Sequence, residues 1–210
     1  MKKINLLFIA FLVLTAQNAM AQADNDDTNV DQHELQIVVQ EVALLDIWDA
    51  SLATPADVST IIFDMAEATT IATNAEAGLY DFTALNYTDL YINYTSVVSA
   101  AEPTRNISVR FNGGSFPGGL NLVITPEESL VENADNGTPG TIDTANPIKL
   151  GANDIVTGAA QNLVTQIGSV YTGDEANGVR LSYSLEQFGS FSGYVAGNYS
   201  TQVEYTLSDL

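Results

Sequence analysis

The sequence predicts an all-β protein, folded as an antiparallel β-sandwich of about nine strands. Short segments rich in Thr, Val, Ile and Tyr recur along the chain, with apolar residues at every second position, which is the period of a half-buried strand. Clusters of Gly, Pro, Asn and Asp separate these segments, and few stretches show the period of a helix. Because an all-β chain of this length is commonly one domain, residues 35–210 are predicted to form a single sandwich.

The beginning of the chain has the order of parts of a secretory signal peptide. Two lysines precede an apolar run, residues 4–14, and small residues then offer overlapping cleavage sites after Ala21 and after Ala23. The apolar run has 11 residues, whereas a membrane-spanning helix needs roughly 20. We therefore expect residues 1–21, or 1–23, to be removed and the protein to be secreted to the extracellular space or the cell surface. An uncleaved N-terminal anchor is the alternative.

Residues 22–34 are polar and acidic, which predicts a flexible N-terminus before the domain. From Leu35 to Trp48 the chain is apolar and its first half alternates with period two, which predicts a long strand with a bulge near Gln40. A helix is the competing interpretation. In an exported sandwich, such a strand either is donated to the open sheet edge of a neighbouring copy or is the first strand of its own domain. The candidate donor residues are Ile37, Val39, Val42 and Leu44.

The remaining strands follow from alternation between turn signals. They are predicted at residues 60–63, 89–98, 106–111, 120–124, 163–167, 179–185 and 201–207. Two glycine turns, at 112–114 and 117–119, separate a pair of them and indicate either a hairpin or a β-arch. Residues 126–147 are predicted to be a long surface loop, and 189–197 a connection rich in glycine and aromatic residues. The residues expected to face the core are Ile107, Val109, Phe111, Leu181, Tyr183, Val203 and Tyr205.

The charge balance is strongly acidic. Without Lys2 and Lys3, four basic residues oppose 26 acidic ones, a net charge of −22. Such a surface repels nucleic acid and anionic membranes and favours solubility. The chain has no cysteine, which excludes disulfides, thiol catalysis and cysteine-based zinc sites. The short lysine pair and the lack of cysteine together indicate a bacterial source.

No catalytic constellation emerges, and we predict that the protein is not an enzyme. The single histidine, His33, lies in the polar N-terminal region, where it cannot be held rigidly beside a serine. The loop at 189–193 has the glycines of a nucleophile elbow, but Phe191 stands where the serine is required. Acidic residues are abundant enough for a two-carboxylate glycosidase, but no pair is singled out.

Two kinds of ligand remain candidates, calcium and carbohydrate. Calcium takes oxygen ligands from acidic loops, and the candidates are Glu132, Asp135, Asn136, Asp143, the pair Asp174 and Glu175, and the acidic stretch 24–31. None matches a known calcium-loop spacing, and the same residues are common in ordinary turns. Trp48, Tyr87, Tyr91 and Tyr94 are candidates to line a sugar-binding face, although Tyr91 and Tyr94 are three apart and point to opposite sides of a strand.

The closing segment, Gly193-Tyr194-Val195-Ala196-Gly197-Asn198-Tyr199-Ser200-Thr201-Gln202-Val203-Glu204-Tyr205-Thr206-Leu207, resembles the end of spore-coat-protein-U-like and related pilin-type secreted domains. These finish with a Gly-x-Tyr-Ser/Thr turn that leads into an alternating last strand. The resemblance implies an immunoglobulin-like sandwich and a subunit of surface fibres. The cysteine pair that the family often carries is missing here.

The sequence therefore predicts a secreted structural or adhesive cell-surface protein, a fibre subunit that self-associates by strand donation. The alternative is a secreted module that binds carbohydrate or calcium. No cofactor, nucleic acid or membrane span after signal cleavage is expected.

Overall fold

The alternating segments assemble into two antiparallel sheets in a computed structural model, which describes residues 32–52, 60–68, 85–127, 137–188 and 195–209. Strands make up 51% of the described residues and helices 9%, so the all-β prediction is confirmed. The chain divides into a first unit, Met1–Val39, and a second unit, Gln40–Leu210, which contains both sheets.

Ten strands occur in the described part of the chain. They are β1 (Val42–Asp49), β2 (Asn86–Val97), β3 (Arg105–Gly114), β4 (Leu120–Pro126), β5 (Thr141–Ile142), β6 (Ile148–Gly151), β7 (Gln161–Ile167), β8 (Val170–Tyr171), β9 (Val179–Gln187) and β10 (Thr201–Asp209). The short helices α1 (Met65–Ala68) and α2 (Ala152–Thr157) and a 3₁₀ turn (Glu175–Asn177) complete the described elements.

Sheet 1 has the spatial order β1-β2-β9-β4-β6, with β8 also paired to β2. Sheet 2 has the order β10-β3-β7-β5. Every strand pair is antiparallel. Among the described strands, β1 and β6 are therefore the edges of sheet 1, and β10 and β5 those of sheet 2. The edge strands β1 and β10 lie close to each other.

The two sheets share one hydrophobic core, built from their alternating inward positions. Ile107, Val109 and Phe111 of β3 are buried, as are Leu181 and Tyr183 of β9, as the sequence predicted. Val203 and Tyr205 of β10 also pack against the core but are only partly buried. The predicted core is thus confirmed, with weaker burial at the edge strand.

The turn region between β3 and β4 is a β-arch, because β3 lies in sheet 2 and β4 in sheet 1. Phe116 lies in the arch and packs against Phe111, with ring centroids 5.0 Å apart. Gly114 has φ +83°, and a Cβ at this position would lie 2.2 Å from the Ser200 carbonyl oxygen. A side chain is therefore excluded where the chain turns from one sheet to the other.

Three local predictions need correction. The short strand predicted at 60–63 is not formed: Ile61 and Phe63 pack against the core and Ile62 is 80% exposed, so the alternation is present without a paired strand. The long strand predicted at 35–48 begins only at Val42. The loop predicted at 126–147 contains β5, while residues 128–136 lie outside the described part.

Candidate functional site

The last residues of the first unit, 35–39, are mostly apolar and are exposed. Residues 32–41 form no helix or strand, and residues 35–39, called the N-terminal segment below, are exposed. Leu35, Ile37, Val38 and Val39 are each 73–76% exposed. Fully burying one such side chain is worth about 1.5–3 kcal/mol. A run of four exposed aliphatic side chains therefore indicates a surface that gains stability when it is covered.

The four candidate donor residues are divided between two environments. Ile37 and Val39 lie in the exposed N-terminal segment. Val42 and Leu44 lie in β1, opposite Val97 and Thr95 of the same chain. The strand begins at Val42 because its partner β2 ends at Val97, so residues 35–41 have no continuation of β2 to pair with.

The hydrophobic core is incompletely covered along β1 and β10. The inward-facing apolar residues of these edge strands are all only partly buried: Leu45, Ile47, Val203, Tyr205 and Leu207. The corresponding residues of the neighbouring strands β2 and β3 are buried. We call this flank of the molecule the β1–β10 side. Its apolar residues contact the core but remain partly accessible to water.

β1 differs from β10 in its outward face. Leu44 is 63% exposed on that face, and Trp48 packs there against Tyr91, with ring centroids 5.6 Å apart. The outward residues of β10 are polar: Gln202, Glu204, Thr206 and Ser208. In an antiparallel pair, alternate residues turn their N–H and C=O groups away from the partner strand. β1 thus combines an open main-chain edge with apolar side chains on both faces.

A buried arginine, Arg105, lies at the end of the core where β1 begins. Arg105, the first residue of β3, is 3% exposed and reaches from sheet 2 to sheet 1. Its guanidinium donates to the carbonyl oxygens of Val42 and Val97, to the latter over 3.1 Å, and to Ser96 Oγ over 3.2 Å. It also pairs with Asp209 Oδ1 at 2.6 Å and Glu41 Oε2 at 3.4 Å.

Each of the four basic residues beyond Lys3 has a carboxylate partner. Besides Arg105, these pairs are Arg110–Glu204, Lys149–Glu186 and Arg180–Glu127. Because 26 acidic residues face only these four cations, the pairs leave a large negative excess. Residues 35–40, by contrast, carry no charge, and Glu34 and Glu41 bound them.

A polar cluster lies at the other end of β1. Asp49 is 2% exposed; Tyr87 donates its hydroxyl proton to Asp49, and Ser51 donates to Asp49 Oδ1 from its backbone nitrogen (2.9 Å) and its hydroxyl (2.7 Å). Burial is the largest influence on the pKa of Asp49 and raises it, but the hydrogen bonds from Tyr87 and Ser51 together outweigh burial and lower the pKa. The pKa of Tyr87 is raised by burial and by Asp49. The cluster fixes the turn after β1.

The aromatic candidates do not share one face. Tyr94 is buried, donates its hydroxyl proton to the Pro139 carbonyl, and has a pKa raised by burial. Tyr91 lies on the outer face against Trp48, with the ring planes inclined at 54°. Tyr87 is engaged with Asp49. The prediction that Tyr91 and Tyr94 point in opposite directions is confirmed, and the inclined Trp48–Tyr91 pair is not a flat platform for a sugar ring.

The calcium candidates are only partly within the described residues. Glu132, Asp135, Asn136 and the stretch 24–31 lie outside them. Asp143 accepts hydrogen bonds from Asn146 and Ala145, and the side-chain bond from Asn146 is the main cause of its lowered pKa. Asp174 and Glu175 lie at the 3₁₀ turn. Within the described part of the chain, no three acidic or histidine side chains form a group that could hold a metal ion.

The residues weighed for catalysis are not brought together. His33 is exposed and lies in no helix or strand. The loop at 189–193, with Phe191, lies outside the described residues. Over the ranges that the structure covers, no helix is both long and apolar enough to span a membrane.

Arg105 and Asp49 were not singled out from the sequence. Arg105 carried a usable signal, because a basic residue is rare in this acidic chain and this one starts a strongly apolar strand. Asp49 carried none, since it is one of 26 acidic residues and its hydrogen-bond partner Tyr87 is far away in sequence. No protein-family model, curated protein or solved structure matches the chain.

Proposed function

We propose that this chain is a secreted structural or adhesive protein of the bacterial cell surface, whose copies join into fibres by strand donation. The observation that carries the proposal is the exposed N-terminal segment, whose four aliphatic side chains are 73–76% exposed. Signal-like residues 1–21 support export, and the resemblance of residues 193–207 to the end of pilin-type secreted domains supports an immunoglobulin-like fold. The proposal assigns the protein no catalytic step.

The receiving element is β1 of a second copy. A strand added along its open edge continues sheet 1 and lies over the partly buried Leu45 and Ile47. With Leu35, Ile37 and Val39 facing the core, Val38 faces outward beside the exposed Leu44. The outward face of β10 is polar, so β10 offers Val38 no matching contact. β1 is therefore the better acceptor.

The charge distribution favours this contact over others. Copies with a net charge of −22 repel each other across most of their surfaces. Residues 35–40 are uncharged, so a contact made through them avoids that repulsion and gains from apolar burial. Because donor and acceptor are different surfaces, each copy can donate once and accept once, and the contact repeats head to tail without closing.

The decisive experiment compares the mature protein with a truncation that begins at Gln40. The truncation leaves β1 intact, since β1 begins at Val42. We expect filaments of the mature protein in negative-stain microscopy and none of the truncation. Both proteins should melt at the same temperature as monomers, because the described residues of the deleted stretch, 32–39, are exposed.

A charge-matched pair of variants sharpens the test. Ile37→Asp/Val39→Asp places two carboxylates on the core-facing side of the donated strand and should abolish filaments. Gln36→Asp/Gln40→Asp adds the same charge on the other side and should preserve them. Filaments of the truncation would overturn strand donation. Saturable binding of calcium or a glycan by a monomer that never polymerises would instead favour the alternative, a ligand-binding module.

A further inference from the structure

We infer that Arg105 is a mechanical clamp, which holds the beginning of β1 in place when tension is applied through the N-terminal segment. The inference rests on the proposed function, because only a fibre subunit is pulled through that segment. It concerns a positioning role of one side chain and goes beyond the strand contact itself.

Force applied through the N-terminal segment acts first on the pair of residues at the start of β1, Val42 and Val97. Tension on residues 35–41 reaches the fold at Val42, which is opposite Val97, the last residue of β2. An antiparallel pair pulled from its end separates one residue pair at a time, starting with Val42 and Val97. Each step breaks only the bonds of that pair, so resistance depends on how firmly the first pair is held.

Arg105 holds that first pair from a third strand. One guanidinium nitrogen donates to the carbonyl oxygens of both Val42 and Val97, so β1 and β2 are bridged where separation would begin. The Nε atom donates to Asp209 at 2.6 Å and ties the same group to the end of β10. The planar fork of arginine allows these bonds at once, which the single ammonium of lysine cannot reproduce.

Because Arg105 is buried, the bridge that it makes between β1 and β2 resists separation of these strands. Because Arg105 is 3% exposed, water has little access to exchange for its hydrogen bonds as the strands are pulled. Leaving the guanidinium without these partners in the protein interior is strongly unfavourable. The clamp thus connects β1, β2, β3 and β10 at one end of the core.

Arg110 provides a matched comparison within the same strand. It also joins β3 to β10, through Glu204 at 2.6 Å, but its side chain is 42% exposed. Its ion pair does not include β1 or β2. A variant of Arg110 therefore removes a β3–β10 ion pair without touching the first pair of sheet 1.

The test is single-molecule force spectroscopy on the monomeric folded protein. The chain has no cysteine, so pairs of introduced cysteines define the pulling direction. Val39→Cys with Ala101→Cys pulls the start of β1 away from the end of β2, next to Arg105, and Ser115→Cys with Ala159→Cys applies force at the opposite end of β3. We expect Arg105→Gln and Arg105→Lys to raise the unfolding rate under force about tenfold in the first direction and little in the second.

Arg110→Gln and Arg110→Lys should leave both directions nearly unchanged. An equal effect of the Arg105 variants in both directions would mean a general structural role and would overturn the clamp. Arg105→Lys retains the charge and serves where Arg105→Gln does not fold. The measurement uses monomers, so a directional effect supports the clamp even if microscopy shows no filaments, and that second result would count against the proposed function alone.

Discussion

Residues 35–39 and residues 203–207 carry the same pattern and have opposite surroundings. Leu35, Ile37 and Val39 are apolar at every second position, as Val203, Tyr205 and Leu207 are in β10, although Val38 is apolar as well. The second set pairs with β3, opposite Phe111, Val109 and Ile107, and packs against the core. The first set lies in no strand and is exposed.

The difference teaches that alternation specifies which side chains share a face, but not whether a partner strand is present. β10 has a partner because β3 runs alongside it over most of its length. β2 ends opposite Val42, so β1 has no paired continuation toward residue 35. The same reasoning explains residues 60–63, which alternate correctly and still form no strand.

The largest effect is expected where a strand is paired on both sides. Val109 lies in β3, between β10 and β7, and is 0% exposed. Val109→Asp places an unpaired charge in the core and should lower the free energy of unfolding by about 4–5 kcal/mol or prevent folding. Urea titration followed by circular dichroism measures this. Ser108→Asp, on the opposite face of the same strand, is the control, and a similar loss there would contradict the assigned facing.

A smaller effect on the free energy of unfolding should distinguish residues 203–207 from residues 35–39. Leu207→Ala removes a partly buried contact of β10 and should cost about 2 kcal/mol, at the lower end for leucine in a core. Ile37→Ala should change the stability of the monomer by less than about 0.5 kcal/mol, because its side chain is exposed. Urea titrations of both variants, at concentrations where the protein is monomeric, give the comparison. Equal losses would mean that residue 37 is packed in solution.

The smallest effect concerns the hydroxyl groups of Tyr183 in β9 and Tyr205 in β10. Tyr205 and Tyr183 share a hydrogen bond between the sheets; burial raises the pKa of Tyr183 to about 12 and raises that of Tyr205 as well. Since the folded pKa values exceed the ordinary value of 10.0, the unfolded chain ionises first as the pH rises. Stability should therefore be full below pH 10 and fall between pH 10 and 12, by about 1 kcal/mol at pH 11 for Tyr183.

Urea titrations across this alkaline range test the expectation. The variant Tyr183→Phe/Tyr205→Phe keeps both rings and removes both hydroxyls, so its stability should depend less steeply on pH than that of the parent protein. Parallel curves for the two proteins would show that these hydroxyls ionise equally in the folded and unfolded states.

The sequence by itself determined the class of fold and most of the inward faces. Alternation depends only on the two-residue period of a strand, so Ile107, Val109 and Leu181 could be assigned to the core without knowing their neighbours. The glycines at 113 and 114 likewise indicate a turn, but they do not distinguish a hairpin from an arch.

Only the tertiary structure decided which strands pair and which polar groups are brought together. Three features depend on residues distant along the chain: the β-arch, the start of β1 at Val42 and the bridge made by Arg105. The bridge, for example, joins Arg105 to Val42. Short strands such as β6 and β8 exist because β4 and β2 offer them partners. Pairing is a property of two segments at once, whereas a local pattern describes one, and this is why the candidate site emerges only from the assembled fold.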